Sequence, residues 1–129
     1  MVVDLDSRVG EKFVCEECKQ TYSLICCAGF KDEAGGVSGK PVQVKSDQVL
    51  KWVAERTENK IPLIGVGGVF TAADAYRKIK LGASLVEVYT GWIYEGPLMV
   101  KRINQGLVEL LKKDGFKHIS EAIGSDLKR

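Results

Sequence analysis

Between Ile61 and Thr90 the chain passes from an apolar run, IPLIGV, to a glycine pair, then to helical periodicity, and back to an apolar run, SLVEVYT. A strand that is apolar on both faces needs cover on both sides, which is the habit of parallel sheets. Two such strands joined by a helix are parallel, because the crossover returns the chain to the end from which it started. This alternation limits the fold to the α/β class, parallel strands with helical crossovers.

The flanking sequence keeps the same rhythm. The loop GGVSGKP (35 to 41) precedes a helix expected from Ser46 to Thr57, with Val49, Leu50 and Val53 at helical spacing. A strand is expected over Ile61 to Val66. Thr71 then caps a helix to Leu81, with Ala75, Tyr76 and Ile79 on its apolar face and Gly82 closing it. A second strand runs from Ser84 to Thr90. GWIYEG reads as a loop, with Pro97 in the first turn of a long amphipathic helix that presents Val100, Ile103, Leu107, Leu110 and Leu111 and ends at Gly115. Ser120 caps a short turn in the polar terminus.

Composition changes near residue 35. Residues 1 to 34 hold all four cysteines and carry four basic against seven acidic residues; residues 35 to 129 carry fifteen against ten. The two segments are therefore read separately, 1–34 as an unassigned cysteine-containing segment and 35–129 as the α/β unit. Cys15 and Cys18 form a C-x-x-C pair, but Cys26 and Cys27 are adjacent and lie in an apolar run, a poor fit to the second knuckle of a zinc site. They read as reduced thiols, and no metal is expected.

A net charge of +2 with basic residues scattered among acids offers little electrostatic footing for nucleic acid. The sequence holds no apolar stretch near the ~18 residues that span a bilayer, and MVVDLDSRVG has neither a signal-peptide nor a transit-peptide pattern.

Gly67 and Gly68 fall at the carboxyl end of the first buried strand, where backbone becomes accessible to a ligand. A helix beginning at Thr71 adds unpaired amides and the positive end of its dipole, and the combination suits a phosphate. Tyr89 and Thr90 end the neighbouring strand on the same side. In (β/α)₈ barrels a phosphate site is often built from the loops after the last two strands together with a short helix N-terminus. The alternative is that the glycines serve a tight turn and close packing, and spacing alone leaves both readings open. A dinucleotide fingerprint is disfavoured, because Phe70 stands where its third glycine belongs and Glu87 lies inside a strand. His118 reads as a surface residue, Ser38 as a loop hydrogen-bonder, and Trp92 and Tyr94 as packing beneath the terminal helix.

Four motifs occur in order: GGVSGKP (35 to 41), IPLIGVGGVFTAADA (61 to 75), GASLVEVYTGWIYEGP (82 to 97) and EAIGSD (121 to 126). Together they resemble the carboxyl-terminal part of the class 2, quinone-linked dihydroorotate dehydrogenases, over residues 35 to 129. The resemblance implies the carboxyl-terminal portion of a (β/α)₈ TIM barrel that holds FMN at the carboxyl ends of its strands. It implies oxidation of dihydroorotate to orotate in pyrimidine biosynthesis, with ubiquinone as acceptor. The implied flavin-phosphate grip falls on Ser38, Gly39, Gly67, Gly68, Tyr89 and Thr90, mostly through backbone N–H groups.

The resemblance also implies what is missing. The family's serine base, its flavin-contacting lysine and its orotate-binding asparagines belong to earlier strands, so no catalytic residue is assigned and the isolated chain is expected to be inactive. A full barrel takes ~250 residues, and residues 1 to 34 match no part of the family, which suggests a truncated or mis-joined product. For the parent enzyme the implied location is the mitochondrial inner membrane. Two alternatives stand beside this reading, another FMN-dependent barrel oxidoreductase and a non-catalytic module that binds a phosphate ligand or a partner.

Overall fold

The computed structural model describes residues 13–14, 21–22, 37–58 and 60–127. The chain divides into two units, Met1–Val37 and Ser38–Arg129. In the first, β1 (Phe13–Val14) pairs antiparallel with β2 (Thr21–Tyr22). The four cysteines lie outside the described residues.

The second unit opens with a single 3-10 turn, Lys40–Val42, which runs directly into α1 (Gln43–Thr57). Then follow β3 (Leu63–Val66), α2 (Ala72–Lys80), β4 (Ala83–Glu87), α3 (Thr90–Glu95), α4 (Met99–Asp114) and α5 (Ile119–Ala122). The two strands pair in parallel, with Ile64 opposite Leu85, Gly65 opposite Val86 and Val66 opposite Glu87. Parallel strands joined by a crossover helix are the architecture expected from the sequence.

The core lies where α2, α4 and the strand pair meet. Val69, Ala75, Met99 and Ile103 form one buried cluster, with Val86, Val88 and Leu107 against it. Tyr76, Ile79 and Ala122 form a second, covered by Leu110, Leu111, Phe116 and Ile119. Ala75, Tyr76 and Ile79 recur at helical spacing, and all three are buried. On α1 Leu50 is buried as expected and Val49 is half-buried, but Val53 is exposed and Ala54 takes the inner position. Val100 is likewise exposed on α4, where Met99 takes the inner position.

Two local expectations change. GWIYEG forms the helix α3 instead of a loop, and α4 begins at Met99, beyond Pro97. Gly91 explains why this stretch does not read as helix: a Cβ there would lie 2.4 Å from the Val69 carbonyl oxygen and 2.7 Å from Met99 Cε, so packing requires the poorer helix former. Trp92 and Tyr94 are exposed on α3 and do not pack beneath the terminal helix. His118, not Ser120, caps α5, with its ring nitrogen accepting from the Ser120 N–H at 3.3 Å.

The strand pair has two unlike faces. Gly65 and Ala83 are buried beneath α2, whereas Ile64, Val66 and Leu85 are exposed on the other side with Glu87.

Candidate functional site

The loops at the carboxyl ends of β3 and β4 meet the segment Ser38–Ser46. Thr90, the first residue of α3, donates its hydroxyl to Ser38 Oγ at 2.8 Å, which ties the first motif to the third. Gly39, with φ +82°, lies between them: a Cβ at this position would come 3.1 Å from Thr90 Cγ2 and 3.8 Å from the Phe70 ring. Tyr89 precedes α3 as its cap residue, and its side chain is exposed. Lys40 lines a cavity of about 330 Å³ with Phe70, Met99 and Arg102, and its ammonium sits 5.4 Å from the Phe70 ring centroid.

Gly67 and Gly68 both have positive φ, +96° and +70°, which L side chains adopt only with strain. The group nearest to them is α1. A Cβ on Gly68 would lie 2.4 Å from Gln43 Cβ and 2.7 Å from Gln43 Cα; one on Gly67 would lie 3.2 Å from Ser46 Oγ. Tight turning and close packing are therefore both present at this pair, on the side facing α1.

The helix start after the glycines is already capped. Thr71 Oγ accepts from the Asp74 N–H at 3.2 Å, while the Asp74 carboxylate accepts from the N–H groups of Thr71 at 3.0 Å and Phe70 at 3.2 Å. This is a reciprocal capping box, visible in the sequence as Thr-x-x-Asp. Burial pushes the Asp74 carboxyl up, but the Thr71 hydroxyl, these two amides and the Gln43 amide outweigh it and hold the group below the usual carboxylate range. The capping box thus takes the N–H groups of Phe70, Thr71 and Asp74, part of what the sequence reading offers to a phosphate. The short helix α3 is the one whose first residue meets Ser38 and Gly39.

A polar network missed by sequence reasoning supports the turn. Lys78 is fully buried, its ammonium 2.7 Å from Asp47 Oδ1 and 2.8 Å from Ser46 Oγ. Arg77 donates to Asp47 at 2.6 Å and to Asp74 at 3.2 Å. Gln43 Nε2 donates to the Gly68 carbonyl at 2.6 Å and to Asp74 Oδ1 at 2.7 Å, and Ser46 Oγ donates to the Val66 carbonyl. Gly65 makes room for the lysine: a Cβ there would stand 3.0 Å from Lys78 Cδ, so the stem crosses β3 where a side chain is missing. A glycine inside a strand is the available signal for such a close approach. EAIGSD, the fourth motif, lies elsewhere, with the Gly124 N–H donating to the Ile79 carbonyl at 3.1 Å at the far end of α2.

A parallel α/β unit with glycine-rich loops at its strand ends is the setting in which the comparisons fall. The family model for dihydroorotate dehydrogenase matches residues 18–111, and the chain belongs to that family. Dihydroorotate dehydrogenase (quinone) of Nostoc punctiforme is 52% identical over 98 residues, which cover 76% of this chain and 26% of the relative. The enzyme of the same name from Crocosphaera subtropica is 52% identical over 97 residues, 75% of this chain and 26% of the relative. The crystal structure of DHODH from Eimeria tenella in complex with ferulenol aligns with a TM-score of 0.73 at 37% identity, over 77% of this chain and 26% of that one. Its ligand-free type aligns at 0.72 and 33%, over 90% and 31%. The chain spans about a quarter of the length of the curated relatives it matches.

One expectation is overturned. The relatives that are about half identical are cyanobacterial, and cyanobacteria have no mitochondria, so the mitochondrial inner-membrane location does not hold. Among the described residues no helix is long and apolar enough to cross a membrane.

Proposed function

We propose that this chain supplies the phosphate cup for FMN in a quinone-linked dihydroorotate dehydrogenase, as the carboxyl-terminal portion of a (β/α)₈ barrel formed by residues 35–129. The observation that carries the reading is the hydrogen bond between Thr90 and Ser38, which joins the third motif to the first at the strand carboxyl ends, with Phe70 of the second motif 3.8 Å from where a Gly39 Cβ would stand. The consecutive positive-φ glycines 67 and 68 add backbone without side chains, which a ligand can approach closely. Ser38, Gly39, Gly67, Gly68, Tyr89 and Thr90 hold the phosphate, chiefly through peptide N–H groups. Hydrogen bonds to an ionised group of this kind contribute ~1.5–3 kcal/mol each.

When bound, FMN supplies the hydride-accepting chemistry for oxidation of dihydroorotate to orotate, with ubiquinone as the final acceptor. The residues of this chain bind and orient; the proton-abstracting base and the orotate contacts come from the remainder of the barrel. The chain by itself binds flavin without turning over dihydroorotate.

The test is titration of the 129-residue chain with FMN and with riboflavin, followed by a dihydroorotate-dependent quinone reduction assay. Saturable FMN binding that exceeds riboflavin binding, without turnover, supports the proposal. Turnover by the isolated chain overturns the division of labour, and absence of FMN preference overturns the cup. A second reading, docking against another chain, is favoured by the exposed face of Ile64, Val66 and Leu85 and is read from sedimentation of the same sample.

A further inference from the structure

The carbonyls of Val66 and Gly68 flank the glycine turn, and side chains of α1 hold both: Ser46 Oγ donates to the first and Gln43 Nε2 to the second. A trans peptide is planar, with its N–H directed opposite its C=O, and among the described residues no peptide is cis. Anchoring the Val66 carbonyl on α1 therefore turns the Gly67 N–H away from α1. Anchoring the Gly68 carbonyl does the same to the Val69 N–H.

The donors have no freedom to do otherwise. Lys78 carries an ammonium, which only donates, so Ser46 Oγ must accept from it and is left with its own proton for the Val66 carbonyl. Gln43 spends its two amide hydrogens on Gly68 and on Asp74. Both side chains are on the opposite side of the turn from the amides they orient, and neither needs to touch a ligand.

We propose that Gln43 and Ser46 are positioning residues that aim the Gly67 and Val69 N–H groups at the cofactor phosphate, with Lys78 and Asp47 fixing Ser46. This inference rests on the phosphate-cup reading above and extends it to residues outside the four motifs' glycines. It assigns the buried ammonium of Lys78 to holding a hydroxyl rotor one hydrogen bond from the turn, instead of to the ligand.

The experiment compares the full chain with Ser46→Ala, Ser46→Thr, Gln43→Ala and Gln43→Met; the last keeps the side-chain length against Gly68 should the alanine variant not fold. Expected is a loss of FMN affinity of about tenfold, as for one hydrogen bond to a charged group, with riboflavin affinity held within about twofold, and recovery in Ser46→Thr. In the ligand-free ¹⁵N-labelled chain, Ser46→Ala shifts the Gly67 amide resonance and Gln43→Met shifts that of Val69, while Ala75 stays in place. Parallel losses for FMN and riboflavin, or unmoved Gly67 and Val69 resonances in a folded variant, overturn the inference. Should the parent chain show no preference for FMN, the cup reading fails by itself, and the amide resonances still decide whether Gln43 and Ser46 set the turn.

Discussion

The two ends of the β3–α2–β4 unit are built from different materials. At the strand carboxyl ends, segments meet through hydroxyls, carbonyls and glycines: Thr90 to Ser38, Ser46 to Val66, Gln43 to Gly68. At the other end Tyr76, Ile79 and Ala122 make an apolar cluster, and the terminal segment is strapped on by backbone bonds from Gly124 to Ile79 and from Asp126 to Lys80. The first end keeps polar backbone close to the surface and must fix it by hydrogen bonds. The second removes apolar surface from water and tolerates looser polar detail. Stability at the first end is therefore concentrated in a few irreplaceable contacts, and substitutions there test the contrast most severely.

Gly68→Ala is expected to have the largest effect. The added methyl would meet the Cβ and Cα of Gln43 at 2.4 and 2.7 Å, and φ is +70°, so the α1 backbone has to move. Overpacking and the left-handed penalty together give a loss of about 3–5 kcal/mol, measured by denaturant unfolding followed through tryptophan fluorescence. A loss under about 1 kcal/mol would show that α1 yields freely and that the contrast between the ends is illusory. Asp47→Ala comes next, at about 3 kcal/mol, because it leaves Lys78 buried with Ser46 as its remaining hydrogen-bond partner.

How far the sequence reveals these two ends differs for a physical reason. The alternation of apolar runs and helical periodicity gives the strand–helix–strand order, and the inward face of α2 follows from 3.6-residue spacing. Both depend on burial of many residues, a pattern that survives small errors. The site end depends on single contacts between residues that lie 20 to 52 positions apart, such as Ser46 with Val66, Gln43 with Gly68 and Ser38 with Thr90. No periodicity encodes those. Lys78 looks like a surface lysine between Tyr76 and Ile79; that it is buried follows only once Gly65 is known to lie beneath its stem. The Thr71–Asp74 pair is legible as a capping box, which takes the Phe70, Thr71 and Asp74 N–H groups at the start of α2.

The two ends are also expected to fail at opposite limits of pH. Asp74 has its carboxyl held below its ordinary value of 3.8, so its contribution is complete above that value and is lost as pH falls through the lowered folded value. Asp74→Asn should cost about 1–2 kcal/mol at neutral pH, as for a lost cap, and flatten the acid limb of the stability curve. Tyr76 behaves in the reverse sense. Burial first, then the hydrogen bond to Asp114 and the charges of Asp114 and Asp126, push its phenol from 10.0 up to about 12. The unfolded chain releases the proton from pH 10 upward while the folded chain retains it, so stability falls as pH rises through that window. Tyr76→Phe removes this slope and costs about 1 kcal/mol at pH 7, the worth of one hydrogen bond.

Asp126→Asn should have the smallest effect. Its carboxylate lies 3.2 Å from Lys80 Nζ, but the two side chains are 42% and 26% exposed, and such pairs contribute about 0.2–1 kcal/mol. The strap itself is made by the Asp126 N–H to the Lys80 carbonyl, which the substitution retains. Part of the small loss should vanish in ~1 M salt, where screening is felt over ~3 Å. The alkaline limb provides the sharper readout, because removal of the Asp126 charge takes away one of the influences that raise the Tyr76 phenol. The upper end of that limb should fall toward pH 10 while its onset stays in place, so less stability is lost, and the change should be smaller than in Asp114→Asn, which removes the direct hydrogen-bond partner as well. Equal displacement by the two variants would mean that the far end is held by charge more than by packing, and that it resembles the site end after all.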